Sequence, residues 1–167
     1  IDAALAWYSI PGTSKHHTFV PAAVTVMNSL RPSGSPGTVT MIGYREGVSE
    51  VWLDLTSETN GKGMTVSAVA VDGRPVTFRH ATDRLHIPLP ARARAGDEVR
   101  TVVSYGGIPA DGLRLIANIH GERTMFSENW PNRARQWLPM IDHPYDKATG
   151  EFIVTAPGHY QVVANGL

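Results

Sequence analysis

The sequence contains no cysteine, which excludes thiolate catalysis, cysteine-ligated zinc and disulfide bonds. This absence is compatible with a reducing or an oxidising compartment, so cytoplasmic and secreted locations both stay open. The chain begins at Ile1 with neither an initiator methionine nor a basic and apolar signal sequence. The sequence therefore does not identify a compartment.

Long apolar runs and net charge are also missing. No stretch reaches the roughly 18 consecutive apolar residues of a membrane helix, so we expect no membrane segment. Lys and Arg number 15 and balance 15 Asp and Glu, so no overall field attracts nucleic acid. The basic and aromatic residues Trp130, Arg133, Arg135 and Trp137 are spaced like a surface for stacking bases. Without a second basic stripe, we expect no nucleic-acid partner.

Recognisable catalytic motifs are absent as well. A zinc peptidase site of the HExxH type needs two histidines four residues apart on a helix, with a glutamate between them. None of the histidines fits that pattern: His16, His17, His80, His86, His120, His143 and His159. A serine nucleophile is unsupported because no G-x-S-x-G elbow occurs. We therefore expect no catalytic residue, metal ligand or cofactor in this chain.

Alternation of apolar and polar residues is the main pattern that is present. Its period of two predicts half-buried antiparallel strands around Val51–Leu55, Leu85–Leu89, Val99–Tyr105 and Phe152–Ala156, with a last strand at 160–164. The pair Asp72-Gly73 follows a long β-like run and predicts a hairpin, because its turn needs positive φ. No stretch has the apolar spacing of a helix, so the sequence predicts an all-β sandwich with little or no helix.

The segment 126–165 combines aromatic, basic and turn-forming residues at unusual density. Its informative positions are Phe126, Glu128, Arg135, Pro139, Asp142, Pro144, Lys147 and Asn165, with Gly166 directly after it. This pattern resembles the end of the N-terminal β-domain of zinc aminopeptidases of the aminopeptidase N and leukotriene hydrolase type. The resemblance covers residues 37–167 and implies a twisted, saddle-shaped set of antiparallel sheets. It fades before residue 37, so we expect residues 1–36 to form an atypical terminal segment or linker, partly poorly ordered.

The resemblance also implies roles for individual residues. Glu128 and Trp130 match positions that, in this family, line the pocket for the amino group and first side chain of the substrate. A carboxylate suits an ammonium group, and an aromatic wall suits apolar or basic side chains. Arg135, Asp142 and Lys147 are expected to support the site loop through ion pairing. On the residues alone, Glu128 is an ordinary solvated loop residue, and this alternative stays open.

The motifs of the family's catalytic domain, GxMEN, HExxH and a later glutamate, do not occur in this chain. The resemblance therefore implies a non-catalytic N-terminal domain that covers the active-site cleft of a zinc aminopeptidase. Zinc and the partner catalytic domain are expected outside this chain, and the chain alone is expected to be inactive. A free-standing β-sandwich binding module and a purely structural domain remain alternatives.

Overall fold

The computed structural model describes residues 19–29, 35–43, 49–90, 98–143, 149–155, 158 and 160–163. Within these residues the chain forms eleven strands, and its one helical element is a short 3₁₀ helix, η1, at Ala134–Gln136. The strands are β1 (Phe19–Ser29), β2 (Ser35–Gly43), β3 (Glu50–Asp54), β4 (Gly63–Val71), β5 (Arg74–Pro75), β6 (Arg79–Ala81), β7 (Arg84–Pro88), β8 (Glu98–Ile108), β9 (Leu113–Ala117), β10 (Arg123–Ser127) and β11 (Thr149–Thr155). The all-β class expected from the sequence is confirmed.

The strands form three sheets. A six-stranded sheet has the order β11-β1-β2-β8-β4-β5, a three-stranded sheet has the order β3-β7-β6, and β9 and β10 form a separate two-stranded ribbon. The pairs are antiparallel with one exception, since β1 and β11 run parallel. A parallel pair needs a long crossover, and here the two strands stand near opposite ends of the chain.

The predicted hairpin between β4 and β5 is confirmed. Asp72 and Gly73 have φ values of 47° and 76°, and Val71 pairs with Arg74 across the turn. Two consecutive positive φ values give a turn whose twist matches that of the flanking strands, which explains the Asp-Gly sequence.

One apolar core joins the three-stranded sheet to the larger sheet. The alternating residues Val51 and Leu53 of β3 and Leu55 directly after it are buried, while Trp52 is exposed. They pack in a cluster with residues of β7, β4 and β8, including Leu85, Ile87, Val69, Val71, Val103 and Tyr105. Full burial of one such aliphatic side chain is worth about 1.5–3 kcal/mol, so this cluster is the main source of stability.

Two observations bear on expectations from the sequence. The expectation that residues 1–36 form an atypical terminal segment or linker stays a prediction, and this segment contains strand β1. Its register shifts beside Pro21, and a bulge is where a strand tolerates proline. The strand expected at 160–164 is wrong over its described residues, 160–163, which have no regular secondary structure. The domain boundary at residue 37 stays a prediction.

Candidate functional site

The ribbon of β9 and β10 carries the candidate site at its base. Leu113 pairs with Ser127 and Ala117 with Arg123, which places the end of β10 beside the start of β9. At the tip, Asn118 Oδ1 accepts hydrogen bonds from the backbone N–H groups of His120 and Glu122, both at 2.9 Å. Such side-chain acceptors favour Asn in tight turns, so the tip is held without a packed core.

Apolar side chains on this ribbon are unusually exposed. Ile119 at the tip is 95% exposed, and Leu115, Ile116 and Phe126 are also exposed. Single exposed apolar residues are normal, whereas several grouped on one face are typical of an interaction surface. Side chains alternate along a strand, and Phe126 pairs with Arg114, so Ile116 and Phe126 share a face while Leu115 lies on the other. We call Ile116 and Phe126, together with Ile119 at the tip, the ribbon patch.

Glu128 follows β10 directly and is held from three directions. Its backbone N–H donates to the carbonyl oxygen of Gly112 at 2.8 Å. Its Oε1 accepts the backbone N–H of Trp130 at 3.0 Å, and its Oε2 accepts Nη1 of Arg133. The side chain is 46% exposed, and each carboxylate oxygen can accept more than one hydrogen bond. Glu128 is therefore oriented by the protein and still able to accept a donor from a ligand.

Arg133 extends this contact into a chain of alternating charges. Its Nε lies 3.4 Å from Oδ2 of Asp111, and Oδ1 of Asp111 lies 3.7 Å from Nη2 of Arg114. Two arginines and two acids thus balance one another beside the end of β10. Isolated exposed ion pairs contribute little to stability, about 0–1 kcal/mol. The main consequence of these linked ion pairs is therefore to fix the position of Glu128.

The two tryptophans of this segment have opposite environments. Trp130 is 76% exposed, whereas Trp137 is 6% exposed and belongs to the core cluster. The indole N–H of Trp137 donates to Oδ1 of Asn129 at 3.0 Å. Trp130 therefore presents an aromatic surface beside Glu128, while Trp137 anchors the loop.

Arg135 pairs with Asp142 behind the loop. Its backbone N–H and its Nε both donate to Oδ2 of Asp142 at 3.1 Å, and Nη2 donates to the Asp142 carbonyl at 2.9 Å. Nη2 also lies 3.4 Å from Oδ2 of Asp54, at the end of β3. Both acids are buried, so one guanidinium compensates two carboxylates and ties the loop to the three-stranded sheet.

Other observations limit what the site can do. In the part of the chain that the structure describes, no group of three or more His, Asp or Glu side chains is arranged to hold a metal ion. Nor does this part contain a helix with the length and apolar character needed to cross a membrane. Because Trp137 is buried and Arg133 and Arg135 are paired with acids, the interleaved aromatic and basic residues do not form one open surface.

Comparison with known proteins gives matches among solved structures. No family model and no curated protein sequence matches. An M1 zinc metallopeptidase from Deinococcus radiodurans matches with TM-score 0.61 and 28% identity over 82% of this chain and 32% of that chain. A two-domain M1 zinc metallopeptidase mutant bound to L-arginine matches with TM-score 0.62 and 27% identity over 84% of this chain and 33% of that one. Native yeast LTA4 hydrolase matches at TM-score 0.65 and 16% identity, over 84% and 23% of the two chains, which shows the fold alone.

The chain resembles the N-terminal domain of the M1 zinc metallopeptidases. It spans about a third or less of the length of these structures. The resemblance expected from segment 126–165 is thereby confirmed at the level of the whole fold.

Within this M1-like domain, the structure brings some of the predicted residues together. Glu128 and Trp130 lie on one exposed loop, with Trp130 N–H bonded to the Glu128 carboxylate. Arg135 and Asp142 form an ion pair on its buried side. Lys147 lies outside the described residues.

The sequence reasoning did not find the residues that hold Glu128. Asp111 and Gly112 belong to the turn after β8, and Arg133 precedes η1. For Arg133 the sequence offered one weak indication of a contact with Glu128, namely their separation of only five positions. Asp111 had none, because its proximity depends on the fold of β9 and β10.

Proposed function

We propose that this chain is the non-catalytic N-terminal domain of a zinc metallo-aminopeptidase. In this role it covers part of the active-site cleft and contributes to recognition of the substrate's amino terminus and first side chain. The parent protein hydrolyses N-terminal residues from peptides. The observation that carries the proposal is the half-exposed carboxylate of Glu128, held in a defined orientation beside the exposed ring of Trp130.

A peptide's amino terminus is an ammonium group, and a positioned carboxylate is its natural partner. A charge-assisted hydrogen bond of this kind is worth about 1.5–3 kcal/mol. Glu128 has acceptor capacity beyond its bonds to Trp130 and Arg133. The proposal therefore assigns the substrate's ammonium group to Glu128.

The first side chain of the substrate is assigned to Trp130. An exposed indole favours apolar side chains by contact and basic ones by cation–π attraction. Two of the similar solved structures are an M1 zinc metallopeptidase bound to L-arginine and one bound to L-tryptophan. Those ligands belong to those proteins, and they support a preference for aromatic and basic first residues here.

The partner surface is assigned to the ribbon patch. Phe126 of this patch lies two residues before Glu128, near the end of β10, so a catalytic domain that contacts Glu128 would also cover part of the patch. The proposal assigns zinc to that other domain, because this sequence has no pair of histidines in an HExxH pattern.

Steady-state kinetics of the full-length protein with aminoacyl p-nitroanilides test the proposal. Replacing Glu128→Gln removes the charge that holds the ammonium and is expected to raise KM roughly 10- to 100-fold, corresponding to the loss of one charge-assisted bond. Glu122→Gln, an exposed glutamate at the ribbon tip, is the matched control and is expected to leave KM unchanged. An unchanged KM for Glu128→Gln would overturn the assignment.

The 167-residue chain alone supplies a second test. We expect it to show no turnover of the same substrates, with or without added zinc. Robust turnover that a chelator abolishes would show that this chain carries its own active site, which contradicts a purely covering role.

A further inference from the structure

The ion pairs around Glu128 indicate which residues orient the carboxylate that is proposed to bind the substrate. We propose that Arg133 is a positioning residue: anchored by Asp111, its guanidinium fixes the Glu128 carboxylate in the orientation that receives the substrate ammonium. The inference rests on the proposed function and adds two residues to it. Neither was expected from the sequence to belong to the site.

The first step is that Arg133 itself is held in place. Its backbone N–H donates to the carbonyl of Asn129 at 2.9 Å. Its own carbonyl lies against Gly112, where a Cβ atom would stand 2.4 Å from the oxygen. Because the backbone of Arg133 is fixed by these contacts, its side chain starts from a defined point.

The second step concerns where the guanidinium points. Nη1 donates to Oε2 of Glu128, while Nε faces Oδ2 of Asp111 at 3.4 Å. A planar guanidinium held by two acids on different sides cannot rotate freely, which distinguishes arginine from the more flexible lysine. Asp111 therefore sets the direction in which Arg133 approaches Glu128.

The third step is the charge balance. A lone arginine beside Glu128 would cancel its charge and repel an incoming ammonium. Asp111 offsets the charge of Arg133, so the guanidinium does not leave an uncompensated positive charge beside Glu128. Nη2 of Arg114 lies 3.7 Å from Oδ1 of Asp111, the other carboxylate oxygen, so the two arginines and two acids balance as a set. An incoming ammonium group therefore meets the exposed Glu128 carboxylate without a lone arginine beside it.

The fourth step separates this role from a structural one. Arg133 and its two acids are all at least about a third exposed, and exposed ion pairs add little to stability. The buried pair behind the loop, Arg135 with Asp142, supports the loop independently of Arg133. Removing the Arg133 side chain is therefore expected to act on substrate binding more than on folding.

Kinetics of the full-length protein with an arginyl p-nitroanilide test the proposal. Arg133→Met is expected to raise KM about 5- to 30-fold, the factor of a weakened charge-assisted bond, with kcat changed less than about twofold, since the interaction acts in binding. Asp111→Asn is expected to raise KM as well, because Arg133 then keeps its full charge next to the ammonium. Arg133→Lys is expected to recover part of the loss. Arg123→Met, an exposed arginine on β10, is the control with no expected effect.

A double variant decides whether Arg133 acts through Glu128. In the Glu128→Gln background, Arg133→Met is expected to raise KM no further, since the group it positions is already lost. If the two effects multiply, or if Arg133→Met lowers kcat as much as kcat/KM, the positioning role is overturned. If Glu128→Gln raises KM and Arg133→Met does not, this inference fails and the proposed function stands. If Glu128→Gln itself has no effect, both fail.

Discussion

The backbone carbonyl of Arg133 lies directly over Gly112, in the space that a side chain would fill. A Cβ atom at Gly112 would stand 2.4 Å from that oxygen and 3.1 Å from Cδ1 of Trp137. The turn after β8 and the loop before η1 are therefore in backbone contact, and this contact brings Asp111 to Arg133 and Arg133 to Glu128.

Gly112→Ala is accordingly expected to destabilise the chain. Gly112 has a φ of 77°, and the new methyl group would also force the loop away, so we expect a loss of about 1–3 kcal/mol beyond the cost of positive φ. Urea unfolding measures it. Gly121→Ala is a matched control, since Gly121 has a φ of 81° with nothing within 4 Å. Equal losses of stability for the two variants would show that disturbing the contact between Gly112 and the Arg133 carbonyl has no energetic cost.

Arg135→Met is expected to destabilise the chain by about 2–3 kcal/mol. That is below the roughly 3–5 kcal/mol of a fully buried pair, because the arginine side chain is 30% exposed. The variant leaves the buried carboxylates of Asp54 and Asp142 without their counter-charge. Arg114→Met, which removes an exposed pair, is expected to cost about 0–1 kcal/mol. Chemical denaturation of both variants compares them, and a similar small loss for each would contradict the central role of Arg135.

Trp130→Ala and Trp137→Ala form a contrasting pair. Trp137 is in the core and bonded to Asn129, so its truncation is expected to cost about 3–5 kcal/mol. Trp130 is exposed, and its truncation is expected to change stability by less than about 0.5 kcal/mol. In the full-length protein, Trp130→Ala is instead expected to reduce the preference for aromatic and basic first residues over alanine. Unchanged selectivity would remove Trp130 from the site.

Tyr105 predicts a loss of stability at alkaline pH. Burial raises the pKa of its phenol above the ordinary value of 10, and its hydroxyl has no hydrogen-bond partner among the residues that the structure describes. Below about pH 10 the phenol is protonated in both folded and unfolded chains, so its contribution to stability is fully present. Above about pH 10 the unfolded chain releases this proton and the folded chain retains it, so stability falls by up to about 1.4 kcal/mol per pH unit.

Urea unfolding between pH 9 and pH 11 measures this effect against Tyr105→Phe. In the variant, the free energy of unfolding is expected to lack the part of its fall at alkaline pH that comes from the Tyr105 proton. At neutral pH the variant's stability is expected to be unchanged or higher, because a buried hydroxyl without a described hydrogen-bond partner is removed. Tyr160→Phe, which leaves Tyr105 in place, is the control. Parallel pH curves for wild type and Tyr105→Phe would contradict the assignment.

Much of the fold was predictable from local patterns. Val51 and Leu53 of β3 are buried while Glu50 and Trp52 beside them are exposed, as a period of two requires. Asp72 and Gly73 form the expected turn because few other pairs tolerate two positive φ values. Strand β1 was missed because Pro21 and the small residues around it obscure the alternation, and its partners β2 and β11 supply the pairing that makes it a strand.

The candidate site also has a part that the sequence predicted and a part that only the fold shows. The resemblance of segment 126–165 pointed to Glu128, Trp130, Arg135 and Asp142 because all four are close in the chain. The pairing of Arg135 with Asp54 joins residues far apart in sequence, as does that of Arg133 with Asp111. No sequence pattern records such distances.

The sequence by itself determined the all-β class, the inward faces of the central strands, the hairpin at Gly73 and the kinship of segment 126–165. These follow from side-chain polarity and backbone preference, which act over a few residues at a time. Only the tertiary structure decided that β11 returns to pair with β1, that Trp137 is buried while Trp130 is exposed, and that Arg133 pairs with both Asp111 and Glu128. These depend on which distant segments pack together, because packing brings charges and aromatic rings within contact range irrespective of their separation along the chain.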